Sequence, residues 1–221
     1  MEVEYLLNHF FMQHFTIDTI QSWDRFYRGN FINCLSGFKS ASLIGTVNAA
    51  GVTNLAIFSN IIHLGADPAL IAFQNRPTVA APHTIANIEV TGVYTLNHIH
   101  PSFVDKAHQT SAKYAAEESE FASVQLTEEW KPNIQEPFVA ESNIKYALSL
   151  VEIVPIQHNN TFLVIGKLTD VFVDESCIES DGYLSLEKVQ SVTSLGIDGY
   201  YNVSKIARYN YAKPGEMAKE I

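Results

Sequence analysis

The stretch SLIGTVNAAGVTNLAIFSN, residues 42–60, reads as two β-strands around the turn NAAGV. Gly51 supplies the positive φ that such a hairpin turn needs. The second strand mixes Asn54, Ser59 and Asn60 with Leu55, Ala56, Ile57 and Phe58, so it hides its apolar side chains imperfectly. Two readings fit this mixture. Either Asn54 and Asn60 end strand pairing while Ser59 bonds to neighbouring backbone, or the polar positions face a pocket that supplies the partners buried polar groups require.

The segments on either side extend the β pattern. ALIAFQN, residues 69–75, is a short apolar run between Pro68 and Pro77 and suits a buried strand, with LGADP before it as a connection. PHTIANIEVTG, residues 82–92, opens on proline and closes on glycine, the pattern of a short helix, and VYTLNHI returns to strand. YALSLVEIVPI and TFLVIGKLTDVFV flank QHNN, whose Asn159 and Asn160 suit a tight hairpin. The count reaches about six strands, within the usual range for one sheet. Ahead of them, Ile17, Ile20, Trp23, Phe26 and Tyr27 predict one leading helix, capped by Thr16 and stopped at Gly37. Residues 128–143 carry Pro132 and Pro137 and read as an extended loop. That loop and the tyrosine-rich tail are candidate movable covers for a site.

Composition bounds the function. A chain of 221 residues with 47% apolar side chains can bury a sizeable core, and no linker or repeat divides it, so residues 1–221 read as a single elaborated domain. The formal charge of -10 repels phosphate backbones and anionic lipid, which disfavours nucleic-acid and membrane-surface partners. Cys34 and Cys177 stand far apart with no ligand spacing, which fits a reducing cytoplasm. The start, MEVEYLLNHFFMQHF, lacks a basic opening, a cleavage site and a long apolar run, so it reads as neither signal peptide nor membrane span. His98 and His100 lack a third ligand, and no metal site is expected. EESE, residues 117–120, reads as a solvated helix end without a catalytic role, and Tyr200, Tyr201, Tyr209 and Tyr211 read as core or interface mass.

One local grouping points to an anion. QNRP places Arg76 in a turn, and a few residues later HTIAN begins a helix whose free N–H groups and positive dipole end suit a phosphate. His83 and Thr84 add donors at that helix start, Ser59 reaches from the strand, and Arg76 forks onto phosphate oxygens. A dinucleotide-type glycine-rich loop is absent.

Taken in order, SLIGTVNAAGVTNLAIFSNIIHLGADPALIAFQNRP, HTIANI, GVYTLN, HQTSAKY, ESEF, VAESN, IGKL and LGIDGYY resemble the motifs of the flavin reductase-like family of FMN-binding split-barrel proteins. The resemblance spans nearly the whole chain, from about residue 24 to the C-terminal RYNY. It implies a mainly β fold with peripheral helices, a Greek-key split β-barrel, and a homodimer with one FMN per subunit near the interface. By the same resemblance Asn54, Leu55, Ala56, Ile57, Ser59 and Asn60 lie along the flavin ring, and Arg76, His83, Thr84 and Asn87 hold the phosphate end. Lys39, just before the first barrel strand, is a further candidate for the flavin or its phosphate. Ile57 departs from the proline many relatives carry. The implied function is an NAD(P)H-dependent flavin oxidoreductase, using NADH or NADPH as co-substrate and passing electrons to a second flavin, a metal ion or another small acceptor. The alternative is a non-enzymatic FMN electron-transfer protein of the flavoredoxin type. No catalytic acid or base is assigned, because hydride transfer to a flavin needs alignment more than proton transfer.

Overall fold

The computed structural model describes residues 12–221, so most of the opening segment read as neither leader nor membrane span falls outside the described residues. Thr16 caps the first helix, its hydroxyl accepting the Thr19 N–H at 3.2 Å. That helix, α1 (Ile17–Gln21), lasts little more than one turn, and Asp24 starts a second, α2 (Arg25–Leu35), by accepting the N–H groups of Phe26 and Tyr27. The single leading helix expected from periodicity is therefore two, because a carboxylate in mid-run satisfies a fresh set of free amides. Gly37, at φ 74°, lies just past the end of α2.

β1 (Lys39–Ser40) leads into the hairpin of β2 (Ser42–Val47) and β3 (Thr53–Phe58), with Gly51 at φ 82° in its turn. β4 (Ile61–Ala66) and β5 (Ala69–Asn75) form a second hairpin. β4 takes up the start of LGADP, expected as a connection, because an edge strand with exposed side chains breaks the buried pattern. Next come α3 (His83–Thr91), ended by Gly92 at φ 73°, then β6 (Val93–His98) and the short helices α4 (Val104–Gln109) and α5 (Glu120–Val124). A small ladder joins β7 (Glu128–Glu129) to β8 (Phe138–Val139). The long strands β9 (Ile144–Ile156) and β10 (Thr161–Val173) follow, and β11 (Thr193–Leu195) and β12 (Gly199–Tyr201) pair with each other beside β1.

Seven strands make one antiparallel sheet in the order β3-β2-β6-β9-β10-β5-β4. The sheet curls on itself. Phe58 of β3 and Phe73 of β5, far apart in that order, meet with ring centroids 4.9 Å apart, and Asn60 Nδ2 donates to the Gln74 carbonyl at 2.9 Å. No backbone ladder joins the two strands among the described residues, so the barrel stays split along this seam. Register shifts in the β9–β10 pairing, between Ile165 and Gly166 and between Leu168 and Asp170, give those 13-residue strands the bend that curling requires.

Two cores follow from strand alternation. Ile44, Phe73, Tyr94, Leu96, Leu148 and Val164 fill the inside of the curl together with Ile85 and Ile88 of α3. Leu43 and Leu55, on the opposite faces of β2 and β3, pack with Ile99, Phe103, Phe121 and Val139 beside α4 and α5.

The segment 128–143, expected as a movable cover, is anchored instead. Glu136, Phe138 and Val139 are fully buried, and the Lys145 ammonium pairs with Glu129 while donating to the carbonyls of Val139 and Ala140. Thr95 Oγ1 donates to the Pro137 carbonyl at 2.7 Å, and that oxygen lies 2.5 Å from where a Cβ on Gly45 would stand. Only glycine at position 45 lets the segment sit so close to β2.

Candidate functional site

The seam of the barrel opens into a cleft of about 370 Å³, within the range of small-molecule sites. β3 forms its floor. Residues of an antiparallel strand direct their N–H and C=O groups alternately to either side, and the Leu55 N–H turns away from β2 to a carboxylate oxygen of Glu120, 2.9 Å distant. By the same alternation Ile57 directs its backbone donor and acceptor outward, where the sheet has no further strand. The cleft is thus floored by an unpaired strand edge, a row of backbone donors and acceptors open to a planar partner.

Of the residues proposed from sequence, Asn54, Ala56, Ile57, Ser59, Asn60, Arg76, His83 and Thr84 line this cleft. Three proposed residues stand elsewhere. Leu55 is fully buried in the core with only its backbone turned outward. Asn87 lies behind the wall, its amide donating to Thr46 Oγ1 at 3.0 Å, and Asn54 donates to the same oxygen and to Thr84 Oγ1, each at 3.3 Å. This buried cluster of Thr46, Asn54, Thr84 and Asn87 fastens the start of α3 to the hairpin. Lys39 points the other way: its ammonium donates to the Asn33 carbonyl at 3.1 Å and lies 3.3 Å from Ser36 Oγ, holding the end of α2. A cation that neutralises a helix C-terminus in this way is engaged there and does not reach the cleft.

Charge within the cleft is uneven. Among the described residues no side chain caps the first turn of α3, which leaves its leading amides free beside His83 and Thr84. Arg76 and Lys113 also line the cleft, and among the described residues neither enters an ion pair. A helix start and these two cations on its lining make the cleft attractive to an anion, in a chain that is otherwise acidic. Glu120 is the counterpoint: it is 5% exposed, and burial pushes its carboxyl up, an effect the Leu55 N–H and nearby His83 partly reverse. Among the described residues the buried oxygens Asn60 Oδ1 and Ser194 Oγ have no hydrogen-bond partner, and both residues line the cleft.

Sequence reasoning missed the rest of the wall. Thr110 to Tyr114 after α4, Glu120 of α5, and Ser194, Gly196 and Ile197 around β11 complete it. Their motifs, HQTSAKY, ESEF and LGIDGYY, were visible, but nothing local in them says that they meet. Tyr200 lines the cleft as well, and His108 Nδ1 lies 2.9 Å from its hydroxyl. Burial, then Asp198, pushes the Tyr200 phenol up. The other three tyrosines, Tyr201, Tyr209 and Tyr211, are exposed and lie outside the core, so of their reading as core or interface mass only the core half is corrected. His98 and His100 make local bonds outside the cleft: His98 Nδ1 lies 3.0 Å from Ser191 Oγ, and His100 Nδ1 accepts the Ser102 N–H at 3.2 Å.

Comparison with known proteins agrees with this architecture. The model of the flavin reductase like domain matches residues 35–187. A split-barrel protein of Shewanella frigidimarina, assigned to the flavin reductases, is 45% identical, superposes with a TM-score of 0.88, and covers 91% of this chain and 100% of its own. Nitrilotriacetate monooxygenase component B from Bacillus cereus shares the fold at 21% identity and TM-score 0.77, covering 88% of this chain and 96% of its own. Flavoredoxin of Desulfovibrio vulgaris is 25% identical with a TM-score of 0.67, over 81% of this chain and 92% of its own.

Proposed function

The chain belongs to the family of the flavin reductase like domain, and from that premise we propose that it is an FMN-dependent oxidoreductase that takes reducing equivalents from NADH or NADPH. The observation that carries the reading is the cleft itself, which joins an open strand edge to an anion-attracting helix start. Arg76, His83, Thr84 and the free amides of α3 hold the phosphate, with Lys113 as a further cation. The outward backbone of Ile57, with Ser59 and Asn60, meets the polar edge of the ring. Asn60 Oδ1 and Ser194 Oγ, which lack partners among the described residues, gain them from the ligand. When bound, the flavin supplies the redox chemistry, accepting a hydride from the nicotinamide and giving up electrons to a small-molecule or flavin acceptor.

The chain's own part is alignment and exclusion of water. Tyr200 and His108, hydrogen-bonded to each other on the cleft lining, support a reading in which they bound the space where the nicotinamide stacks. A second copy of the chain completes the enclosure: the exposed Phe26, Tyr27, Leu35 and Phe38 supply apolar surface for a homodimer. Free Cys34 and Cys177 accord with a cytoplasmic setting. The likeness to flavoredoxin favours a second reading, an FMN-bearing electron carrier reduced by a partner protein.

An anaerobic absorption spectrum separates them. Purified protein loaded with FMN is expected to lose its flavin absorbance when NADH or NADPH is added, and to regain it in air. Retention of the oxidised spectrum with both nicotinamides, together with ready reduction by dithionite, replaces the reductase with the carrier. Failure of the protein to retain FMN overturns both.

A further inference from the structure

Among the described residues Glu120 is the one acid that lines the cleft, and an acid there needs a reason. Its Oε2 accepts the Leu55 N–H, a task that a neutral oxygen performs as well. Among the described residues no side chain donates to the other oxygen, Oε1, although the residue is only 5% exposed. The residue's own N–H also bonds the carboxylate, yet a carboxylate oxygen carries two lone pairs and can take a further donor from a molecule in the cleft.

Its place along β3 says which part of a ligand does so. On one side of Leu55 lies Asn54, whose amide touches Thr84 in the first turn of α3, where the phosphate is held on the reading above. On the other side lie Ile57, Ser59 and Asn60, which meet the ring. Strand residues advance by about 3.3 Å each, so Glu120 stands between the two ends at a distance of a few bonds from either. What links a flavin ring to its phosphate is a chain of hydroxyl groups, each a hydrogen-bond donor.

We propose that Glu120 is a specificity residue that accepts a hydrogen bond from a hydroxyl of the flavin's polyol chain, so that the cleft selects flavins carrying this chain. The proposal rests on FMN as the ligand. It assigns three separable tasks to three groups: Arg76 with α3 to the phosphate, Glu120 to the polyol, and the outward edge of β3 to the ring.

Three ligands isolate these tasks: FMN, riboflavin without the phosphate, and lumiflavin, which has the ring but no polyol. Their binding to the flavin-free protein is read by quenching of flavin fluorescence. Glu120→Ala is expected to weaken FMN and riboflavin by the same factor, about tenfold for one charge-assisted bond, and to leave lumiflavin within about twofold. Glu120→Gln keeps an oxygen for the Leu55 N–H and an amide that can meet a hydroxyl, so it should lie between the wild type and Ala. It also carries the test should the alanine variant fail to fold. Equal weakening of lumiflavin would move Glu120 to the ring or the strand edge and overturn the proposal. Unchanged affinity for all three flavins would overturn it too. Wild-type protein that binds none of them refutes the cofactor reading itself, an outcome distinct from any effect at Glu120.

Discussion

Thr46→Val tests whether the buried cluster behind the cleft carries the load assigned to it. Thr46 is fully buried, and its hydroxyl oxygen accepts from Asn54 at 3.3 Å and from Asn87 at 3.0 Å. Valine keeps the shape but accepts nothing. Asn87 then loses its acceptor outright, while Asn54 retains Thr84 Oγ1. One buried donor stranded and a second weakened cost about 2–4 kcal/mol together. For a chain of this size each kcal/mol lowers the melting temperature by about 2–4 °C, so a fall of roughly 5–15 °C is expected in a thermal scan. Asn87→Leu in the same background removes the stranded donor and should restore part of the loss, making the two changes non-additive. A fall below about 0.5 kcal/mol, or strict additivity with Asn87→Leu, would show that water replaces the hydroxyl and that the cluster does not fasten α3.

Arg76→Ala should weaken FMN by about tenfold, the low end for a charge-assisted bond because the guanidinium is solvent-exposed, while riboflavin binding stays nearly constant; equal losses in fluorescence titrations would place Arg76 in the fold instead. Glu136 is fully buried, among the described residues neither of its oxygens has a hydrogen-bond partner by geometry, and burial pushes its carboxyl up, with only partial relief from nearby Thr91. The folded state therefore favours the protonated acid, so its contribution is complete below the ordinary carboxylate range and is lost as pH rises toward the raised value. Urea unfolding across that window should show the stability of Glu136→Gln rising relative to wild type as pH increases, and a pH-independent difference would mean that the carboxyl titrates normally.

The parts of the fold that were legible in the sequence are those decided by neighbours along the chain. Gly51 and Gly92 mark a hairpin turn and a helix end because few other residues take those backbone angles, and both adopt positive φ as expected. β4 escaped notice since an edge strand has no buried face to impose alternation: His63 and Leu64 are both exposed. Asp24 was visible as a capping residue, yet the apolar spacing of Trp23 and Phe26 runs straight through it and suggests one helix. The same logic divides the site. Asn54 to Asn60 and Arg76 to Thr84 were found because each group is contiguous, whereas Glu120, Lys113 and Ser194 reach the cleft only through the path of the intervening chain. Lys39 misled because proximity to the first barrel strand does not specify which way a long side chain turns.

The open edge of β3 has a consequence for solubility. A strand that leaves its outward amides and carbonyls free is a template for any other extended chain, and proteins usually guard such edges with charge, proline or a covering element. Here the guard is position: Glu120 occupies the Leu55 amide, and the loop from Arg76 to Pro82 and the turn at Gly196 and Ile197 line the same cleft. These walls and the Glu120 carboxylate stand beside the edge that an added strand would have to pair with. The recess thus also sets the strand edge back from pairing with a second copy of the chain.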